Sequence, residues 1–240
     1  MDIKYTTSGH IFIAPSDDCH EIVDAMLETG YGEDFCLATA FEPDFIAELM
    51  EAGFLVMSAN LSEDDPFHIL LPKLHLVRSV LFFENLHVKR SVRRFLNRYE
   101  LKADADFDRI IDLCVEKHGP DWLTPPLVDC IKKIRRNAIA GHPAQEALSP
   151  LPYAYPASFA LYRNGDLAAG EFGVVSGKVY TSYSGFYEET NAGTVQLVKT
   201  TEYLQENGFS FFDMGMPLQY KTDLGSVDIS TEEFVKLFRG

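Results

Sequence analysis

The sequence of 240 residues contains no apolar run long enough to cross a bilayer, which takes about 20 residues, so it predicts no membrane-spanning helix. The first residues also lack the basic and then apolar pattern of a signal peptide. Only four cysteines occur, and none stands in a CxxC or metal-binding spacing. From these absences we expect reduced thiols in a cytoplasmic protein that does not bind membranes.

Sequence motifs for several kinds of catalysis are missing as well. The seven histidines form no HxxH or HExxH pattern, so we expect no catalytic metal. There is no GxSxG of a serine hydrolase and no GxxxxGK[ST] of a P-loop enzyme. The sequence therefore favours chemistry without a metal and without a resident cofactor.

Basic residues are scarce, because 21 lysines and arginines stand against 36 acidic residues, for a net charge of −15. They are concentrated between positions 73 and 136, where 14 basic and 9 acidic residues give +5, whereas the remainder carries −20. This asymmetry indicates a segment that faces a polyanion within an acidic protein. The acidic remainder would favour basic partners or would simply keep the protein in solution.

The most regular pattern lies in residues 158–213. Its β-rich runs are separated by Asn-Gly at 164–165 and Ser-Gly at 176–177, dipeptides that supply the positive φ angles of two-residue hairpins. The pattern predicts a three-stranded antiparallel meander, then a helix that ends at Gly208, then a buried strand that ends in Asp213. An acid where a sheet meets a loop is frequently catalytic.

The whole chain reads as a mixed α/β (α+β) protein. Apolar spacing indicates helices that begin near Pro43, Phe107 and Pro125, and Ser-Thr-Glu-Glu at 230–233 is a capping box for a final helix. A further helix is expected at 88–98, with an apolar stripe on one side and basic side chains on the other.

Residues 167–177, Leu-Ala-Ala-Gly-Glu-Phe-Gly-Val-Val-Ser-Gly, resemble the Leu-Val-Gly-Gly-x-Tyr-Gly-Val-x-x-Gly segment of the leucyl/phenylalanyl-tRNA–protein transferases. Phe-Asp at 212–213 is similar to the start of that family's Ile-Asp-Cys-Gln. Further stretches resemble family motifs in the same order. Residues 87–95 are similar to the family's His-x-Ser-Arg-Ser-x-x-Arg-Phe, residues 121–124 to its Thr-Trp-Ile-Thr, and residues 224–226 to its Ser-Leu-Gly-Ala. The matches are collinear over most of the chain, so it is identified as a divergent member of this family.

The resemblance implies a GNAT-like acyltransferase fold in the C-terminal half, since meander, helix and strand are the layout of that fold. It divides the chain into a smaller α/β part, residues 1–85, and a GNAT-like transferase domain, residues 86–240. The implied enzyme moves an aminoacyl group from tRNA to the N-terminal α-amino group of a protein, in the N-degron pathway of protein degradation. Its partners would be aminoacyl-tRNA, as co-substrate in place of a cofactor, and basic protein N-termini, and it would act as a monomer.

Asp213 is the candidate catalytic residue. Peptide-bond formation from an aminoacyl ester needs a neutral amine, and a carboxylate can hold that amine or accept its proton. The alternative is that Asp213 only caps the following turn. Two departures from the family remove polar groups near the reacting ester, because Gly215 stands where the family has Gln and Tyr183 stands where it has Glu.

The resemblance places an aminoacyl pocket at Glu171, Tyr180, Tyr183, Ser184 and Phe212. Glu171 stands where the apolar pocket of the family carries Met. A buried carboxylate there would select a polar or cationic aminoacyl side chain, because a buried charge needs a partner. The alternative is that Glu171 lies on the solvent side of its strand.

The basic stretch predicts a tRNA-binding face formed by Lys89, Arg90, Arg93, Arg94 and Arg98. Arg90, Arg94 and Arg98 recur every four residues, so they would line one side of a helix and contact phosphates. Trp122, the single tryptophan, would stack on the terminal adenine of the tRNA. The alternatives are a solvated basic helix and a tryptophan that packs in the core or at a domain interface.

Two other functions stay open on the sequence alone. The first is an acyltransferase of the same fold with another activated donor, although the pyrophosphate loop of CoA-using GNAT enzymes, Arg/Gln-x-x-Gly-x-Gly/Ala, is missing. The second is a catalytically impaired homologue that binds tRNA or peptide, which Gly215 and Tyr183 favour.

Overall fold

The computed structural model describes residues 3–62, 64, 66–140, 148 and 150–240. In chain order, the strands are β1 (Lys4–Tyr5), β2 (Ile11–Phe12), β3 (Leu55–Asn60), β4 (His68–Lys73), β5 (Val77–Leu81), β6 (Glu100–Ala103), β7 (Leu151–Arg163), β8 (Asp166–Gly177), β9 (Val179–Tyr187), β10 (Phe211–Asp213) and β11 (Val227–Ser230). The α-helices are α1 (Cys19–Thr29), α2 (Pro43–Glu51), α3 (Arg90–Arg93), α4 (Phe107–His118), α5 (Pro125–Ala140), α6 (Ala192–Glu206), α7 (Gln219–Asp223) and α8 (Thr231–Arg239).

A seven-stranded sheet in the order β11-β5-β10-β9-β8-β7-β6 forms the centre of the molecule. Helices and strands are therefore mixed, which confirms the predicted α/β (α+β) class. In the part of the chain that is described, no helix combines the length and apolar character needed to cross a membrane.

Strands β7, β8 and β9 form the predicted antiparallel meander. The first turn is confirmed, because Asn164 and Gly165 both have positive φ angles, of 53° and 92°. The second turn lies one residue later than predicted, since Ser176 still pairs with Val179 and the loop consists of residues 177–178. The glycine in this turn also has positive φ, which explains why the dipeptide was recognisable.

Helix α6 connects β9 to the parallel strand β10, as a crossover between parallel strands requires. The predicted meander, helix and strand of a GNAT-like C-terminal half are therefore present in the predicted order. On its other side β10 pairs with the antiparallel strand β5, which belongs to the first 85 residues. The central sheet thus includes strands from both sides of the predicted boundary, and the division into 1–85 and 86–240 stays a prediction.

Apolar side chains cover both faces of the sheet, because neighbouring residues of a strand point to opposite faces. On one face, residues such as Val174 and Phe211 join a large core with α1, α2, α4 and α5. On the other face, their neighbours Val175 and Phe212 pack against α6. The continuous apolar runs of these strands follow from this double burial.

One sequence prediction about helices was wrong, and one helix was not predicted. The helix expected at 88–98 is only one turn, α3, followed by a 3₁₀ turn at Leu96–Arg98, so the basic side chains lie on no single helical face. Helix α1 was missed, although Asp18 caps it by accepting hydrogen bonds from the backbone of His20 and Glu21. The predicted start of α8 is confirmed, because Ser230 is its N-cap and the hydroxyl of Ser230 accepts from the backbone N–H of Glu233.

The segment before α3 is attached to the segment after α7. The backbone N–H of His87 donates to the carbonyl of Leu224 at 2.8 Å. Gly225 has a φ angle of 104°, and a β-carbon at this position would lie 2.0 Å from the carbonyl oxygen of Asn85. Only glycine permits this close approach, which brings residues 89–98, called the basic segment below, next to the loop that follows β10.

Gly225→Ala should therefore destabilise the protein by about 3 kcal/mol or more, because the backbone clash adds to the strain of a positive φ. Gly208→Ala is the matched control, since its φ is 80° but its β-carbon would meet nothing within 4 Å. That variant should lose only about 1–2 kcal/mol. Urea unfolding measures both, and equal losses would show that the contact with Asn85 yields easily.

Candidate active site

Asp213, the predicted catalytic acid, ends β10 and has no exposed surface. Its Oδ2 accepts hydrogen bonds from Nη2 of Arg78 at 2.7 Å and from the hydroxyl of Thr181 at 2.8 Å. Its Oδ1 accepts from Nε of Arg78 and from the backbone N–H of Gly215, both at 2.9 Å. The carboxylate is therefore held by both neighbouring strands and by the loop that follows it.

Arg78, on β5, is the counter-charge of Asp213, and the sequence analysis did not find it. Its side chain is 1% exposed, and its guanidinium lies 4.2 Å from the ring centroid of Phe234. Nη2 also reaches the carbonyl of Gly53 at 3.4 Å, whereas Nη1 has no hydrogen-bond partner among the described residues. No local pattern signals this pair, because its members are 135 positions apart.

The geometry gives Asp213 a clear structural task. It accepts hydrogen bonds from a guanidinium, a hydroxyl and a backbone N–H, which occupies most of the acceptor capacity of a carboxylate. Through Gly215 it fixes the first residues of the loop after β10. The predicted role in holding the substrate amine or accepting its proton stays a prediction.

Lys221, on α7, is a second charged residue that sequence reasoning missed. Its side chain is buried, and its Nζ donates hydrogen bonds to the carbonyls of Met214 and Met216, the latter at 2.7 Å. Burial lowers the pKa of this lysine to about 8, and the nearby carboxylates of Asp213 and Glu171 oppose that shift. Lys221 thus joins α7 to the residues that directly follow Asp213, and Asp213 itself holds the N–H of Gly215 in the same loop.

Glu171, on β8, is buried, so the inward orientation is correct and the solvent-facing alternative was wrong. The hydroxyl of Ser182 donates to its Oε2 at 2.9 Å, whereas its Oε1 has no partner within the described part of the chain. Burial raises the pKa of Glu171 to about 7, although the hydroxyls of Ser182 and Thr200 act in the opposite direction.

Tyr180 and Phe212 lie on the same face of the sheet, the face that packs against α6. Their ring centroids are 5.6 Å apart, and the ring of Phe159 lies 5.1 Å from that of Tyr180. The hydroxyl of Tyr180 is buried without a hydrogen-bond partner in the described residues. Of the five predicted pocket residues, Glu171, Tyr180 and Phe212 are therefore brought into one neighbourhood.

Tyr183 and Ser184 are directed elsewhere. The hydroxyl of Tyr183 donates to the carbonyl of Phe54 and accepts from the backbone N–H of Val56 at 3.1 Å. It thereby attaches β9 to the start of β3. Ser184 interacts with the thiol of Cys114 on α4. These contacts are structural, and a contact of either side chain with the aminoacyl group stays a prediction.

The predicted tRNA-binding cations are all exposed, but their partners differ. Lys89 forms an ion pair with Asp223 at 2.5 Å. Two guanidiniums lie over the ring of Phe95, at 4.9 Å for Arg94 and 4.8 Å for Arg98. Nε of Arg93 donates to a backbone carbonyl at 3.1 Å, and the remaining cation, Arg90, begins α3.

Trp122 is partly buried against the main core, near the start of α5. Its carbonyl accepts hydrogen bonds from the backbone N–H of Ser58 at 2.9 Å and from the hydroxyl of the same residue at 3.2 Å. These contacts agree with the alternative of a packed tryptophan. Stacking on an adenine stays a prediction.

Apolar side chains are exposed directly after Asp213. Met216, Leu218 and Tyr220 have relative exposures of 50%, 42% and 51%. The hydrogen bonds of Lys221 hold this stretch, and the ion pair of Lys89 with α7 places the basic segment beside it. We call residues 216–220 the apolar rim. The Lys89–Asp223 ion pair and the hydrogen bond from His87 to Leu224 thus connect the basic segment to α7 and to the residue that follows it.

A metal centre is not suggested by the arrangement of side chains. Across the residues that are described, no group of three His, Cys, Asp or Glu residues is placed to hold a metal ion. The four cysteines are free and buried, and burial raises the pKa of each thiol. An enzyme without metal or cofactor stays a prediction.

Known proteins resemble this chain over most of its length. A family model described as leucyl/phenylalanyl-tRNA protein transferase matches residues 80–239. A protein of that name from Campylobacter jejuni (strain RM1221) is 24% identical over 201 residues, which cover 82% of this chain and 84% of the relative. Another from Pseudomonas putida (strain W619) is 30% identical over 65% of each chain. Among solved structures, FemX aligns over 99% of this chain and 86% of its own, with 10% identity and a TM-score of 0.45.

Removal of either member of the buried ion pair should be strongly destabilising. Asp213→Leu or Arg78→Met alone leaves an uncompensated buried charge, and each should cost about 3–5 kcal/mol. The double variant Arg78→Met/Asp213→Leu should recover much of that loss, because neither charge is then left alone. Urea unfolding of the four proteins measures the coupling.

Lys89→Met is the control for this cycle, since it breaks an exposed ion pair of the same charges and should leave stability nearly unchanged. Losses that simply add in the double variant would contradict the coupling of Arg78 and Asp213.

Glu171 should make stability depend on pH. Its pKa is about 7 in the folded protein, against an ordinary value of 4.5, so the native state binds more protons between these values. The free energy of unfolding therefore falls as pH rises through this window. Glu171→Gln removes this titrating group. The unfolding free energy of the variant minus that of wild type should therefore rise by about 3 kcal/mol from pH 4.5 to pH 8.

Urea unfolding at a series of pH values tests this. Glu188→Gln removes one exposed carboxylate and controls for the loss of a charge. A difference between wild type and Glu171→Gln that is constant with pH would contradict the prediction.

Proposed function

Because the chain belongs to the leucyl/phenylalanyl-tRNA–protein transferase family, we propose that it moves an aminoacyl group from tRNA to the N-terminal α-amino group of a protein. The family match over residues 80–239 carries this conclusion, since it spans the meander, α6, β10 and the loop after Asp213. Transfer to such N-termini is the chemistry of the N-degron pathway.

The reaction requires one nucleophilic substitution at an ester. The nitrogen of the acceptor amine attacks the ester carbonyl carbon, a C–N bond forms, and the bond between that carbon and the ribose oxygen breaks. The amine loses a proton and the departing ribose hydroxyl gains one. No metal, reductant or further co-substrate is needed, so we propose that aminoacyl-tRNA and the acceptor protein suffice.

We place Asp213 at the base of this site in a positioning role. Its hydrogen bond to the N–H of Gly215 and the bonds of Lys221 to Met214 and Met216 fix both ends of one loop. A rigid loop would place its backbone groups and the apolar rim against the ester. Direct proton transfer to Asp213 requires that the carboxylate exchange one of its present donors for the substrate amine.

We propose that the tRNA lies on the surface made by the basic segment and the apolar rim. Its phosphates would contact the exposed cations, and Arg94 and Arg98 stack on Phe95 in a way that limits their motion. Acceptor proteins with a basic first residue suit a chain of net charge −15. We further propose a monomer that acts in the cytoplasm, without a membrane partner.

One observation favours a second function, a binding protein that no longer catalyses transfer. Asp213 and Tyr183, which stand at the family's reacting positions, both form internal hydrogen bonds in this chain. A protein that binds charged tRNA without reaction would agree with that arrangement. The transfer experiment separates the two functions.

The decisive assay incubates the protein with a pool of labelled aminoacyl-tRNAs and peptides that begin with Arg, Lys or Asp. We expect label on the α-amine of the peptides with a basic first residue and none on peptides whose amine is acetylated. Replacing Arg90, Arg94 and Arg98 together by Gln should reduce transfer and weaken the dependence of tRNA binding on salt.

Lys178→Gln, in the turn between β8 and β9, removes a cation outside the basic segment and is the control. Binding of tRNA without any labelled peptide would identify the non-catalytic function. No binding and no label would overturn both, and would direct attention to another acyl donor.

A further inference from the structure

Three buried polar atoms lie between the sheet and α6 without hydrogen-bond partners in the described structure. They are Oε1 of Glu171, the hydroxyl of Tyr180 and Oε1 of Gln196. The residues are 3%, 0% and 3% exposed. All three atoms can accept a hydrogen bond, and we call these residues the acceptor cluster.

The acceptor cluster occupies a single neighbourhood. Phe159 on β7 is the strand partner of Glu171, and its ring lies 5.1 Å from that of Tyr180. The amide nitrogen of Gln196 donates to the carbonyl of Phe159 at 3.2 Å and to the hydroxyl of Thr200 at 3.3 Å. These contacts leave the amide oxygen of Gln196 unused and fix its side chain beside the other two.

Unused acceptors of this kind are unusual in a protein interior, because buried polar groups are nearly always hydrogen-bonded. Among the described residues no hydrogen bond of ordinary geometry reaches the three atoms, although the hydroxyl of Thr200 lies close enough to oppose the raised pKa of Glu171. Lys221 is the nearby cation, yet its Nζ donates to two loop carbonyls, and it forms no ion pair with Glu171 in the described part of the molecule. A donor that arrives with a ligand would satisfy all three atoms.

The cluster also lies near the loop after β10. The charge of Glu171 influences both Tyr220, on the apolar rim, and Lys221, which in turn responds to Asp213. The rings of Phe159, Tyr180 and Phe212 pack on one another and form an apolar wall beside the acceptors. A flexible aliphatic chain with donors at its end matches this combination of apolar wall and buried acceptors.

We propose that the acceptor cluster binds the side chain of the transferred amino acid and selects side chains that end in a hydrogen-bond donor. The lysyl side chain is the best match, because its ammonium has three donors and no acceptor and its methylene groups pack on aromatic rings. This proposal rests on the proposed function, since it assigns the substrate class of the same reaction. It makes Glu171 a specificity-determining residue.

The test measures single-turnover transfer to an Arg-initiated peptide from separately charged lysyl-, arginyl-, glutaminyl-, leucyl-, phenylalanyl- and methionyl-tRNA. Wild type should prefer the lysyl donor. Glu171→Gln should lower lysyl transfer roughly ten- to a hundredfold relative to transfer of the apolar donors, while Glu171→Met should move the preference to apolar donors. Glu188→Gln is the matched control for the loss of one carboxylate, and urea unfolding of each variant confirms folding.

Three results would overturn the proposal. Wild-type preference for leucyl or phenylalanyl groups that Glu171→Gln does not alter would make the cluster purely internal. An equal loss for every donor would assign Glu171 to the α-ammonium group that all donors share. The third result is that lysine methyl ester stabilises wild type against heat no better than leucine methyl ester, which would show that the site does not select a lysyl side chain.

The ester experiment also separates the two proposals, because it needs no transfer. Stabilisation by lysine methyl ester that Glu171→Gln abolishes, in a protein that transfers nothing, would retain the acceptor cluster as a binding site and reject the transferase function.

Discussion

The buried ion pair between Arg78 and Asp213 is the interaction on which the candidate site depends. It joins β5 to β10 at the centre of the sheet, and the same carboxylate binds β9 through Thr181 and the following loop through Gly215. Two charges in an apolar interior are tolerated only when each is paired and hydrogen-bonded. The position of the loop after β10 is therefore coupled to the integrity of the sheet.

This constraint explains how a short strand supports a surface site. Strand β10 has only three residues, and its last residue is also the anchor of the loop. Lys221 closes that loop from the other end, and Gly225 allows the basic segment to approach it. Exposed apolar and basic side chains thus meet beside a rigid, charge-paired base, which is a suitable arrangement for the acceptor end of a tRNA.

The chain departs from the family motifs that it resembles at several positions of the candidate site. The relatives described above are 24% and 30% identical to it, and the motif resemblance puts Tyr183 and Gly215 where the family has Glu and Gln. Tyr183 has become a structural link to β3 through backbone hydrogen bonds. Glu171 instead introduces a carboxylate into an aromatic environment. We interpret these changes as a shift in substrate preference within a conserved architecture.

Local chemistry determined much of what the sequence predicted. The turn dipeptides, the apolar runs and the capping box act through neighbours a few residues away, so they predicted the meander, α6, β10 and α8. The order of family-like motifs likewise identified the family. By contrast, the apolar spacing at 88–98 did not produce a continuous helix, and the segment forms one α-helical turn and a separate 3₁₀ turn.

Only the tertiary structure decided the environment of each functional side chain. The partner of Asp213 is 135 residues away, and Glu171 is buried because both faces of β8 are covered by other elements. Strand register decides which core a side chain enters, because a shift by one residue moves it to the opposite face. The sequence by itself determined the meander, α6, β10, the start of α8 and the family, whereas long-range pairing decided which charges are buried, because burial and partners depend on residues far apart in the chain.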